Sequence, residues 1–178
     1  MEDPQAEAYG RVTNPERFAP VIEAAESVVA DLNCRFDVIV TRGPAPSAKP
    51  AIVDLVQITP VRVDQAPLAI TFTSFPGLYL DVGAWTHIAL PACGCDACEE
   101  SAEDVLQDLS EYCEALTGGR LSERIVGKFR PTLQHSWNGD GWGRSGRLTL
   151  TATRAAELRA GPVQPPTDGS WRPWSLRS

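Results

Sequence analysis

Between residues 13 and 34 the apolar positions recur every three or four residues: Phe18, Val21, Ile22, Ala25, Val28, Val29 and Leu32. That spacing predicts an amphipathic helix of roughly five turns. Thr13 or Asn14 is placed to cap it, Pro15 falls in the first turn where a missing N–H costs nothing, and Asn33 and Cys34 end it. The same spacing returns over "SAEDVLQDLSEYCEALTG" (101–118). There Val105, Leu106, Leu109, Tyr112, Cys113 and Leu116 form one face, and Gly118 and Gly119 supply the stop.

Between these helices the period shortens. "FDVIVT", "AIVDLVQIT" and "LAITFTSF" are short runs rich in β-branched residues and read as strands, while "LYLDVG" and "AWTHIAL" read as one strand with a glycine irregularity or as two. The loop "RGPAPSAKP" carries prolines that exclude regular pairing. After the second helix, "RLSERIVGKFR", "TLQHSW" and "RLTLTAT" continue as strands. "NGDGWG" is a turn, since Asn-Gly and Asp-Gly accept positive φ, and "RAAELRA" adds one or two helical turns.

Short connections favour antiparallel pairing. The expected fold is therefore α+β, a mostly antiparallel sheet of about five to seven strands with two main helices on one face. One globular domain is expected over 1–160, followed by an irregular tail over 161–178. In that tail Trp171 and Trp174 read as anchors against the domain or against a partner.

Charge narrows the partners. A net charge of -7 and a pI near 4.8 repel phosphate backbones and anionic lipid, which argues against nucleic acid and membranes. The start "MEDPQAEAYG" lacks the basic and then apolar pattern of a secretory signal, and nowhere do about 18 apolar residues run together. A cytoplasmic protein is expected. In a reducing compartment its five cysteines point to thiols or metal thiolates rather than permanent disulfides.

Three of those cysteines lie in "PACGCDACEE" (91–100). Thiolate sulfur is a soft ligand that competes well for zinc, and Gly94 permits the sharp turn needed to bring Cys93, Cys95 and Cys98 to one point. A tetrahedral site needs a fourth donor. Cys113 would lie roughly 20 Å along the helix from Cys98 and is too far. His87, in the preceding strand, is the choice over Asp96 within the knuckle. The competing reading is redox: if Asp96 caps the second helix and Glu99 closes a capping box, Cys98 falls in the first turn, where backbone N–H groups favour thiolate. The surrounding carboxylates oppose that.

Other constellations carry less. His135 lies beside the predicted turn as a surface residue that Asp140 could join in a polar site. "NGDGWGRSG" matches neither a calcium loop nor a phosphate loop, because Trp142 interrupts the ligand alternation and the Lys-Ser/Thr pair is missing. Cys34 and Cys113 read as core thiols.

The stretches "YGRVTNPERFAPV" (Tyr9–Val21), "FTSFPGLYLDVG" (Phe72–Gly83) and "LPACGCDACEE" (Leu90–Glu100) resemble an uncharacterised actinobacterial family of domains of unknown function with a CGCDAC motif. The resemblance covers roughly the first two thirds of the chain. It implies a bacterial cytoplasmic protein and assigns no reaction, cofactor or catalytic residue. The combined reading is a small non-enzymatic protein whose knuckle binds structural zinc through Cys93, Cys95, Cys98 and His87. The alternatives are a thiol-disulfide oxidoreductase using Cys95 and Cys98, and a metal-free module that binds an unknown protein partner.

Overall fold

The structure, a computed structural model, describes residues 10–44 and 52–178, so most of the proline loop "RGPAPSAKP" lies outside the described residues. The first helical pattern opens as a 3-10 turn, Pro15–Phe18, and continues as helix α1, Ala19–Arg35. Pro15 and Pro20 each stand at the start of their element, where no N–H has to be donated. Leu32 is buried. Cys34, two residues on and rotated by about 200° around the axis, is exposed rather than in the core as its sequence context suggested.

Five strands follow: β1 (Val38–Gly43), β2 (Ile52–Pro60), β3 (Leu68–Thr73), β4 (Leu78–Val82) and β5 (Thr86–Leu90). Each pairs antiparallel with the next, giving the order β1-β2-β3-β4-β5. Gly83, at φ +64°, makes the turn that separates β4 from β5, so "LYLDVG" and "AWTHIAL" are two strands. Register aligns Val56, Ile70, Leu80 and Ile88 in one inward row and Ile58, Leu68, Val82 and Thr86 in the next. These rows share one core with Val21, Ala25, Val29 and Leu32 of α1 and with Val105, Leu109 and Leu116 of α2 (Ala102–Thr117). Each fully buried aliphatic side chain contributes about 1.5–3 kcal/mol.

The remaining strands form a second sheet: β6 (Leu121–Val126), β7 (Thr132–Asn138) and β8 (Gly143–Thr149), in the order β6-β7-β8. The described residues thus form the expected α+β fold, with eight antiparallel strands in two sheets, the larger of five strands within the expected five to seven and a second of three beside it. The division has a visible cause. Glu123, in the middle of β6, accepts from the backbone N–H groups of Ala84 and Trp85 and from the Thr86 hydroxyl. The start of β5 therefore meets β6 through a carboxylate instead of a ladder. Helix α3 (Ala152–Arg159) begins earlier than expected because Thr151 caps it, accepting from the N–H of Arg154.

From Gly161 the chain has no helix or strand, only isolated bridges from Ser170 to Ser122 and from Leu176 to Phe36. It is nevertheless fastened. Trp171 and Trp174 are buried, the first donating to Glu123 Oε2 at 2.8 Å and the second to the Ala66 carbonyl at 3.0 Å. The Trp174 ring stands edge-on to Phe36 at 5.5 Å. Both tryptophans anchor the tail to its own domain, strapping the second sheet to α1 and β1.

Candidate metal centre

The loop between β5 and α2 is held by its own residues, by the N-terminal segment and by the β3–β4 connection. Glu100 reaches back to accept from the N–H groups of Ala92 and Cys93, at 3.1 and 2.9 Å, which closes residues 92–100 into a compact turn. The N-terminal segment clamps it from outside. Asp96 accepts from the backbone and hydroxyl of Thr13, its own N–H donates to the Arg11 carbonyl, and Arg17 donates to the carbonyls of Gly94 and Cys95. The Arg17 guanidinium lies over the Phe18 ring at 4.6 Å, and Phe18 packs on Phe75. Phe75 in turn underlies Gly94.

That contact explains the glycine. A Cβ at position 94 would stand 2.6 Å from Phe75 Cζ. Gly94→Ala is accordingly expected to cost about 1–3 kcal/mol through overpacking, read as a lower midpoint of urea unfolding. An unchanged midpoint would show that Phe75 does not fix the turn.

Inside this turn Cys93, Cys95 and Cys98 converge. Their sulfurs all lie within 4.8 Å of one another, with 3.2 Å from Cys93 to Cys95 and 3.3 Å from Cys95 to Cys98. Cys95 is buried, Cys93 half-buried and Cys98 exposed. The Cys95 thiol is held down to about 6, first by hydrogen bonds from the Cys93 and Cys98 thiols and then by the backbone N–H groups of Gly10 and Ala97. Cys98 is pushed up to about 12 by its hydrogen bonds with Cys93 and Cys95. Of these two thiols, Cys95 is the one held as thiolate near neutral pH.

This donor set suits one soft metal ion. Zinc at about 2.3 Å from each sulfur sets tetrahedral sulfur pairs about 3.8 Å apart, so the observed pairs would have to spread by roughly half an ångström. The ligands of a multi-iron cluster bind separate irons and stand further apart than the ligands of a single ion. These three are placed for a single ion.

The other predicted residues are placed differently. His87 is not in the group: it lies on the outer face of the sheet, its Nδ1 2.7 Å from Asp81 Oδ1 and its ring stacked on Tyr79 at 5.2 Å. Asp96 is occupied by Thr13 and Arg17. Cys113 is buried on the core face of α2, and burial pushes its thiol up to about 12. Asp140 pairs with Arg120 at 2.9 Å rather than with His135, which is half-buried in β7 with its ring over Gly146.

Cys98 lies outside the start of α2. The cap of α2 is Ser101, whose side chain accepts from the N–H of Asp104 while Asp104 accepts from the N–H of Ser101. Cys98 precedes that cap by three residues and takes no share of the helix N-terminus, so Asp96 and Glu99 form no capping box. Ser101 is favoured because its hydroxyl can both donate to and accept from Asp104.

Sequence reading missed Glu123, Arg17, Thr13 and Glu100. Glu123 did leave a signal, as a carboxylate at an inward position between Leu121 and Ile125. The clamp of residues 11–17 on the knuckle left none, since it joins positions about 80 residues apart.

No helix of the described residues is long and apolar enough to cross a membrane. No curated protein and no solved structure matches the chain. A family model does, beyond the two thirds that the quoted stretches span: the chain belongs to the Family of unknown function (DUF6226), which matches residues 1–178.

Proposed function

We propose that this is a small non-enzymatic protein of actinobacterial origin in which Cys93, Cys95 and Cys98 hold one zinc ion. The ion fastens the N-terminal segment and the end of β5 to the start of α2. The observation that carries this reading is the convergence of three sulfurs within 4.8 Å, with two backbone N–H groups aimed at the buried one. Such N–H contacts orient a ligating thiolate and offset its charge. The fourth position falls to solvent on the exposed side of Cys98, because Asp96 and Glu100 already accept from backbone N–H groups and His87 is held by Asp81. Thiolates that hold a metal have to stay reduced, which supports a reducing, cytoplasmic setting.

Cobalt titration of metal-free protein tests this. One equivalent is expected to give intense thiolate-to-cobalt absorption in the near ultraviolet, preserved in His87→Ala and diminished in Cys98→Ser. Loss of the signal in His87→Ala would make His87 the fourth ligand, and no signal in the unaltered protein would remove the site. Thiol-disulfide exchange is supported by the acidic Cys95 thiol lying 3.3 Å from an exposed Cys98. It is the reading to adopt if cobalt fails and a reversible Cys95–Cys98 disulfide forms instead.

A further inference from the structure

We propose that the outer face of the three-stranded sheet binds a small phosphoryl anion, independently of the cysteine knuckle. Register puts Ser122, Ser136 and Ser145 side by side across β6, β7 and β8, and the bridge to Ser170 extends the row to a fourth serine. The next row on the same face is Arg124, Gln134 and Arg147. At about 4.8 Å between strands, the two arginines flank Gln134 with roughly 10 Å between their Cα atoms. Side chains of that length can converge above it. Apart from Ser170, these residues line a concavity of about 240 Å³, together with His135 and Gly146, and no carboxylate faces it.

The chemistry of this lining is one-sided. Phosphoryl oxygens only accept, and the face offers hydroxyls, an amide and two guanidinium forks, the group best matched to paired oxygens. Among the described residues the Arg147 guanidinium has no hydrogen-bond or ion-pair partner, while Arg124 donates to the Asp168 carbonyl. The nearby Asp168 carboxylate is turned to Arg172, at 2.8 Å, and to the N–H of Ser170. Residues 120–159 hold eight of the chain's 16 Lys and Arg but three of its 23 Asp and Glu, so the local field here opposes the overall charge. The size of the concavity and the net charge of -7 favour a small anion over a polyanion.

Calorimetric titration of the full-length protein in low-salt chloride buffer tests this with two probes, inorganic phosphate and glucose 6-phosphate, which separate free phosphate from a phosphate ester. At least one is expected to bind saturably at one per chain. Arg147→Gln or Arg124→Gln should weaken it at least tenfold, as loss of a charge-assisted hydrogen bond predicts. Arg147→Lys should weaken it less, and Arg154→Gln, on α3 and paired with Glu157, should leave it unchanged. The proposal is overturned if neither probe binds saturably, if Arg154→Gln weakens binding as much as Arg147→Gln, or if a single-stranded oligonucleotide binds more tightly through the same arginines.

Discussion

Glu123→Ala lowers the free energy of unfolding by about 3–5 kcal/mol, the expected result of stranding buried donors around a missing carboxylate. Glu123 is fully buried and accepts four hydrogen bonds, from Ala84 N and Thr86 Oγ1 at 2.8 Å, from Trp85 N at 2.9 Å and from Trp171 Nε1 at 2.8 Å. These donors come from the β4–β5 turn, from β5 itself and from the tail, so one side chain joins the two sheets and the strap. Glu123→Gln keeps an acceptor oxygen but turns an NH2 group toward donors, and is expected to fall between. Exposed Glu103→Ala is expected to stay within about 0.5 kcal/mol of the parent. Urea unfolding of the variants checks this, and a loss under about 1 kcal/mol in Glu123→Ala would contradict the role assigned to the carboxylate.

The second large effect is the metal's. Zinc that binds only the folded chain stabilises it by about 4 kcal/mol at a thousandfold excess over its dissociation constant. Thermal unfolding of metal-free protein is therefore expected to move up on adding zinc, and limited proteolysis after Leu90 to slow. Cys95→Ser should abolish both responses, because it removes the central sulfur to which the N–H groups of Gly10 and Ala97 point. Cys113→Ser should retain both and lose only packing. The pH dependence has a definite sign. Metal displaces thiol protons, so affinity rises with pH across the neutral range as Cys98, pushed up to about 12, becomes easier to deprotonate. Below about 6 the Cys95 thiolate is itself protonated and binding weakens further.

Much of this was legible in the residues, and the gaps have physical reasons. The spacing of Val21, Ala25, Val29 and Leu32, and of Val105, Leu109 and Leu116, gives the two main helices because each set buries one stripe. The β-branched runs give the strands. What local pattern does not carry is which strands pair, and the split into two sheets depends on Glu123 meeting the turn at Ala84 from 39 residues away. The knuckle shows the same limit. Cys93, Cys95 and Cys98 converge within one short turn, so spacing revealed them. His87 is near the cysteines in sequence, but strand pairing carries it opposite Asp81, on the outer face. The cap of α2 is ambiguous in the sequence: Asp96 with Glu99 and Ser101 with Asp104 both fit a capping pattern, and the structure takes the second, with Glu99 at a left-handed φ of 49° that no helical residue takes.

Metal content decides whether Cys93, Cys95 and Cys98 form one metal site. Protein purified without chelator and without added metal is to be assayed by elemental analysis beside its Cys95→Ser and Cys113→Ser variants. The expected result is about one zinc per chain in the parent and in Cys113→Ser, and essentially none in Cys95→Ser. A parent chain free of metal, or a Cys95→Ser chain that keeps it, would contradict the account.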